Sequence, residues 1–126
     1  MLVNDQAKGS AGAGPVDVAV RALDATVTVA LSGELDDAAV PAVETAVLRA
    51  AEEHGATRVR LDLGELRFID SSGLAMLIRL ERRSAEGGFR FSVVEPSDAV
   101  RTRLDRTGLL TLLMDSHHLA DRTPRV

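Results

Sequence analysis

Segments of apolar residues at every second position alternate along this chain with segments at helical spacing. That pattern predicts an α/β domain in the order ββαβαβαβ, with a mainly parallel mixed sheet of four to five strands and covering helices. Glycine or a capping residue at nearly every junction supports the division. At 126 residues the chain is long enough for one domain with a single core and too short for two ordinary ones.

The elements follow in order. Residues 1–15, with Lys8-Gly9-Ser10-Ala11-Gly12-Ala13-Gly14-Pro15, have no apolar face and read as a flexible N-terminal arm. The domain is expected over 16–126, with an ordered core at about 16–114 and a polar C-terminal tail. Val16, Val18 and Val20 alternate with Asp17, Ala19 and Arg21, which predicts a first strand; Asp24-Ala25 can turn. Val27, Val29 and Leu31 predict a second strand over 26–32, paired with the first as a hairpin and ended by Gly33. Asp36-Asp37 can start a helix in which Val40, Val43, Ala46, Val47 and Ala50 share a face up to Glu53. Pro41 fits only its first turn, and Gly55 closes it. Val59, Leu61 and Leu63 form the third strand, which leaves the sheet through Gly64-Glu65-Leu66-Arg67. A second helix is expected from about 72 to 85, stopped by Gly87-Gly88. The fourth strand covers 89–94, and Glu95-Pro96-Ser97 opens a third helix that ends at Gly108. The apolar run 109–114 is expected as a final strand with its entry loop.

Composition excludes several classes of function. Hydrophobic content of 45% with 27% charged residues is that of a soluble globular chain. The formal charge of −4 is spread along the sequence without a basic stripe, so direct nucleic-acid binding is disfavoured. Aromatics are confined to Phe68, Phe89 and Phe91, so stacking platforms for bases and aromatic-lined pockets are not expected. With no cysteine there are no disulfides and no thiolate metal sites. No signal pattern and no apolar run of about 18 residues is present, so the expected location is the cytoplasm, without a membrane span.

The most informative segment is Phe68-Ile69-Asp70-Ser71-Ser72-Gly73-Leu74. It joins a strand to an apolar-periodic helix, so Ser71 falls in the turn that opens the helix. Free N–H groups and the positive end of the helix dipole favour an anion there. The plainer alternative is that Ser71 or Asp70 is only an N-cap, a common role for both residue types. A second acidic turn, Gly33-Glu34-Leu35-Asp36, also follows a strand. In a parallel sheet strand ends share one edge, so the two turns are expected side by side.

Both motifs, in this order and spacing, resemble the STAS-domain anti-sigma factor antagonists of bacteria, and the order of elements matches the STAS fold over about 16–114. The resemblance implies that Ser71 is phosphorylated by a serine kinase that is itself an anti-sigma factor with a kinase-type ATP fold. Unphosphorylated, the protein would bind that partner and free a sigma factor; phosphorylated, it would release it. A serine phosphatase would reset the switch, and the output would be transcription regulation in a stress response. The implied partner-binding residues are Gly33, Glu34, Leu35, Asp36, Asp70, Ser71, Ser72, Gly73 and Met76. Gly73 is expected to leave the approach to Ser71 open, Ser72 to cap the helix, and Met76 to be exposed enough to dock the partner. The expected oligomeric state is a monomer or weak dimer.

The alternative is a STAS protein of a signalling or transport complex that is not phospho-switched, including a nucleotide-binding form. Catalysis is not expected: no Gly-x-Ser-x-Gly elbow, no histidine placed for a triad and no Walker-type loop occur. No cofactor is expected either. His117-His118 and the isolated His54 lack further ligands at metal spacing. Arg82-Arg83-Ser84 is a short basic pattern of the kind some kinases use, and is weak for that reason.

Overall fold

A computed structural model describes residues 16–115. The arm over 1–15 and the tail with His117-His118 lie outside the described residues. Two strands, β1 (Val16–Leu23) and β2 (Thr26–Leu35), form an antiparallel hairpin, with Leu23 opposite Thr26 across the turn at Asp24-Ala25. Then follow α1 (Val40–Glu53), β3 (Arg58–Ile69), α2 (Ser71–Gly87), β4 (Arg90–Val94) and α3 (Asp98–Arg106). The sheet order is β1-β2-β3-β4, with β3 parallel to both β2 and β4. The expected α/β class and mixed sheet are present, with four strands.

Alternation places Val16, Val18, Val20, Val27, Val29, Leu31, Val59, Leu61, Leu63, Phe91 and Val93 on one face of the sheet, all buried. The helices α1 and α2 pack on the sheet with Val43, Val47, Leu77 and Leu80, each fully buried. The helix α3 lies against β3 and buries Val100 and Leu104.

Three departures from the sequence expectations have physical causes. The run expected as a fifth strand is helical, ending in a single π-helical turn, Thr111–Asp115. Leu113 is fully buried, Leu109, Leu110 and Met114 are partly buried against the core, and Leu112 points outward. That is helical rather than alternating spacing, and a short apolar run cannot reveal the difference by itself. The strands β2 and β3 also run beyond Gly33 and Gly64, where breaks were expected. Ala30 pairs with Asp62 but Ser32 with Glu65, and Gly33 pairs with Leu66 but Glu34 with Phe68. Each step inserts one extra residue into β3, so the strand carries two bulges. Its inward residues accordingly shift to every third position, Leu63, Leu66 and Ile69. Gly33 takes the kink on the β2 side with φ of 100°, a conformation L-side chains rarely adopt.

The third departure concerns Met76, expected at the surface. It is 0% exposed and belongs to the core of α2 with Leu77 and Leu80, so it cannot present itself to a partner. Ser84 is buried as well and its hydroxyl donates to the Glu81 carbonyl at 2.6 Å, which removes the Arg82-Arg83-Ser84 pattern from consideration. Met76→Ala is expected to lower unfolding free energy by about 2–5 kcal/mol, as truncation of a fully buried Met does. Urea denaturation checks this, and a loss under about 0.5 kcal/mol, typical of surface substitutions, would return Met76 to the surface.

Candidate functional site

The C-terminal ends of β2 and β3 bring the two sequence motifs together. Glu34 lies beside Phe68 and Leu35 beside Ile69, and the Asp70 N–H donates to the Leu35 carbonyl at 3.3 Å. The chain then turns into α2, with Asp70 as N-cap. Its extended backbone (φ −104°, ψ −172°) lets Oδ1 accept from the Gly73 N–H at 3.0 Å. The other oxygen, Oδ2, accepts from the Asp37 N–H at 3.2 Å. One carboxylate therefore caps α2 and ties the β2–α1 turn to it. The role of cap, expected for Ser72, belongs to Asp70.

The partner turn is self-braced. Asp36 Oδ1 accepts from the Ala39 N–H at 3.1 Å, and the Asp36 carbonyl accepts from the Ala39 and Val40 N–H groups at 3.0 and 3.1 Å. Asp36 thus organises a turn before α1 rather than capping the helix, which starts at Val40 with Ala39 as an N-cap lacking a side-chain bond.

Ser71 is the first residue of α2 and is exposed. Of the other sequence-predicted residues, Glu34 is exposed, while Asp36, Asp70 and Ser72 are half-buried. Gly33, Leu35 and Gly73 are buried, so they shape the edge from below. Gly73 was expected to keep the approach to Ser71 open, but its importance is steric on the inner side. A Cβ there would lie 2.6 Å from Ile69 Cγ1 and 3.2 Å from Leu35 Cδ2, so only glycine lets α2 start this close to both strands.

Phe68 was missed as a site residue. It is 46% exposed, the largest apolar side chain at this edge, and it lies beside Glu34, three residues before Ser71 in the chain. Its outward position agrees with simple alternation from Leu61 and Leu63, because the two bulges together restore the parity of the strand; β3 was expected to leave the sheet at Gly64, so no face was assigned to Phe68. Arg67 approaches Glu34 at 3.9 Å with both side chains largely in water, a pairing of little energetic weight. Further along, Arg79 of α2 grips Glu44 of α1 in a forked pair, with Nη2–Oε1 at 2.7 Å and Nε–Oε2 at 3.1 Å. The hydrogen bonds that Arg79 donates to Glu44 raise its pKa, and the guanidinium stays charged at any physiological pH.

Among the described residues no group of three or more His, Cys, Asp or Glu side chains could hold a metal ion. No helix among them is long and apolar enough to cross a membrane. The arrangement is an exposed hydroxyl at a helix N-terminus, flanked by four carboxylates (Glu34, Asp36, Asp37, Asp70) and one exposed aromatic ring.

Residues 18–114 match the family model described as Mlab, STAS domain. The chain belongs to the STAS domain family. The fold is similar to that of the anti-sigma factor antagonist SpoIIAA in its unphosphorylated form, at 25% identity and a TM-score of 0.66, covering 86% of this chain and 97% of that one. An anti-sigma factor antagonist from Mycobacterium paratuberculosis matches at 26% identity and a TM-score of 0.65, covering 85% of this chain and 94% of that one. The Bacillus cell fate determinant SpoIIAA in the phosphorylated form matches at 26% identity and a TM-score of 0.61, covering 77% and 87% of the two chains.

In this STAS domain the double acceptor Asp70 separates two substitutions. Asp70→Ala removes both bonds and is expected to lower stability by about 1–3 kcal/mol, whereas Asp70→Asn keeps a capping oxygen and should lose less than half as much. Thermal melts of the two variants check the order, and equal losses would show that the cap is not what Asp70 provides.

Proposed function

We propose that this STAS domain is a non-catalytic anti-sigma factor antagonist of the cytoplasm, switched by phosphorylation of Ser71. Unphosphorylated, it binds an anti-sigma factor that is also a serine kinase and so frees a sigma factor. Phosphorylated, it releases that partner until a serine phosphatase resets it. The observation that carries this reading is the position of Ser71, exposed as the first residue of α2 on an edge shared by both motifs. The similarity to antagonists that span nearly the same length supports it.

The physical chemistry of the switch is local. A phosphoserine carries about −1.5 to −2 charge near neutral pH. On Ser71 it would stand among Glu34, Asp36, Asp37 and Asp70, and turn an acidic edge into a strongly acidic one. The first N–H groups of α2 and its dipole offset part of that cost within the domain. A partner fitted to the hydroxyl meets like-charge repulsion and added bulk instead. SpoIIAA matches this fold in both its phosphorylated and its unphosphorylated structures, which supports a switch that alters the surface and leaves the fold in place.

Two outcomes test this reading. Tagged Ser71→Ala and Ser71→Asp baits in host lysate should differ, with a kinase-fold anti-sigma factor retained by the first and lost with the second. Recovery of the same proteins by both would mean that Ser71 does not control binding. With that partner purified, Phe68→Ala should weaken binding about tenfold or more, as loss of a central aromatic anchor does, while the melting temperature changes little because the ring is exposed. Unchanged affinity by calorimetry would place the interface elsewhere on the domain.

A further inference from the structure

Among the described residues β1 ends the sheet, with β2 as its only neighbour in the strand order. An open edge of eight residues carries unpaired backbone groups that can pair with another strand. The two-residue turn makes Leu23 and Thr26 the hydrogen-bonded pair of the hairpin. Counting back along the ladder, the even-numbered residues, Val18 and Val20 among them, direct their N–H and C=O groups outward. The odd-numbered ones, Asp17, Ala19 and Arg21, bond to β2 and direct their side chains to the face opposite the core.

We infer that a second copy of this chain docks along β1, antiparallel about a two-fold axis at Ala19, continuing the sheet across both copies. The sequence of the edge is self-complementary in that register. Asp17 of each copy falls opposite Arg21 of the other, in non-hydrogen-bonded pairs whose Cα atoms are about 4.5 Å apart and whose side chains are closest. Val18 falls opposite Val20, which exchanges backbone hydrogen bonds and continues the apolar face. The small Ala19 meets its own copy at the axis. Shifting the register by two residues in either direction separates both charge pairs. Asp17 and Arg21 are exposed, and neither side chain has a hydrogen bond or ion pair among the described residues. Eight residues a side is well below the roughly 20–30 of stable interfaces, so association in the sub-millimolar range is expected.

This inference is independent of the phospho-switch. Sedimentation equilibrium of the full chain from about 10 μM to about 1 mM tests it, a span that covers weak dimers. The wild type should dimerise in this range. Asp17→Arg and Arg21→Asp alone each set like charges opposite one another twice and should weaken dimerisation about tenfold or more. The double exchange D17R/R21D restores both pairs and should recover the wild-type constant within about threefold. Ala19→Lys, which brings two cations together at the axis, should abolish the dimer; circular dichroism confirms that each variant is folded. A monomer at all concentrations, a dimer indifferent to the single exchanges or to Ala19→Lys, or a double exchange that fails to recover it would each overturn the inference.

Discussion

Everything at the candidate site depends on how β2 and β3 run side by side to their ends. Parallel pairing brings two turns from distant parts of the chain to one edge, and the last rungs, Glu34 with Phe68 and Leu35 with Ile69, set the distance between them. The two bulges in β3 decide which side chains that edge presents. They turn Leu66 inward and, because together they restore the parity of the strand, keep Ile69 inside and Phe68 outside. Asp70 then converts adjacency into a single unit, since its two oxygens hold the start of α2 and the turn before α1 at once. Gly73 completes the arrangement by allowing α2 to begin against Ile69 and Leu35 without a clash.

That construction explains how a surface can change charge without losing its shape. The strand ends and α2 that carry this edge are apolar and fully packed inside: Leu35, Leu66, Met76 and Leu77 are each 0% exposed. Two of the carboxylates on that edge, Asp36 and Asp70, already accept backbone N–H groups, so they do not need the Ser71 hydroxyl. Adding charge at Ser71 therefore perturbs an electrostatic field and leaves the packing alone. Burial of Met76 supports α2 from within and leaves Phe68 as the exposed large apolar side chain at this edge.

Much of the fold was legible in the chain because its signals are local. Alternating valines marked β1 and β2, Pro41 and Gly55 bounded α1, and Ser97 marked the start of α3, where its hydroxyl accepts from the Val100 N–H. Within the site, the adjacency of the two motifs followed from the sheet order. What stayed hidden was non-local. A bulge is a mismatch between two strands, so Gly33 and Gly64 read as strand ends when each lies inside a longer strand. The choice among Asp70, Ser71 and Ser72 as cap rests on where the chain enters α2, one residue earlier than periodicity suggested. Gly73 is indispensable through Ile69 and Leu35, neither of which its own surroundings in the sequence reveal as neighbours.

The two surfaces of this domain are separated by its own architecture. From Arg58 to Ile69, β3 has 12 residues, about 36 Å of extended chain, and the switch edge lies at its far end. The outer edge of β1 runs along the side of the sheet, with β2 between it and β3. An antiparallel pair of β1 strands points the two copies in opposite directions, so the two Ser71 edges would face opposite ends of the joined sheet. Neither edge then obstructs the other, and each copy keeps its carboxylates and Phe68 open to solvent. Along β1, Arg21 lies opposite Thr28, toward the other end of β2, whereas Asp17 lies opposite Ser32, nearer the end that carries Glu34 and Leu35. The proposed self-association and the proposed switch would thus draw on different parts of one sheet, the first on the outer side of β1 and the second on the ends of β2 and β3.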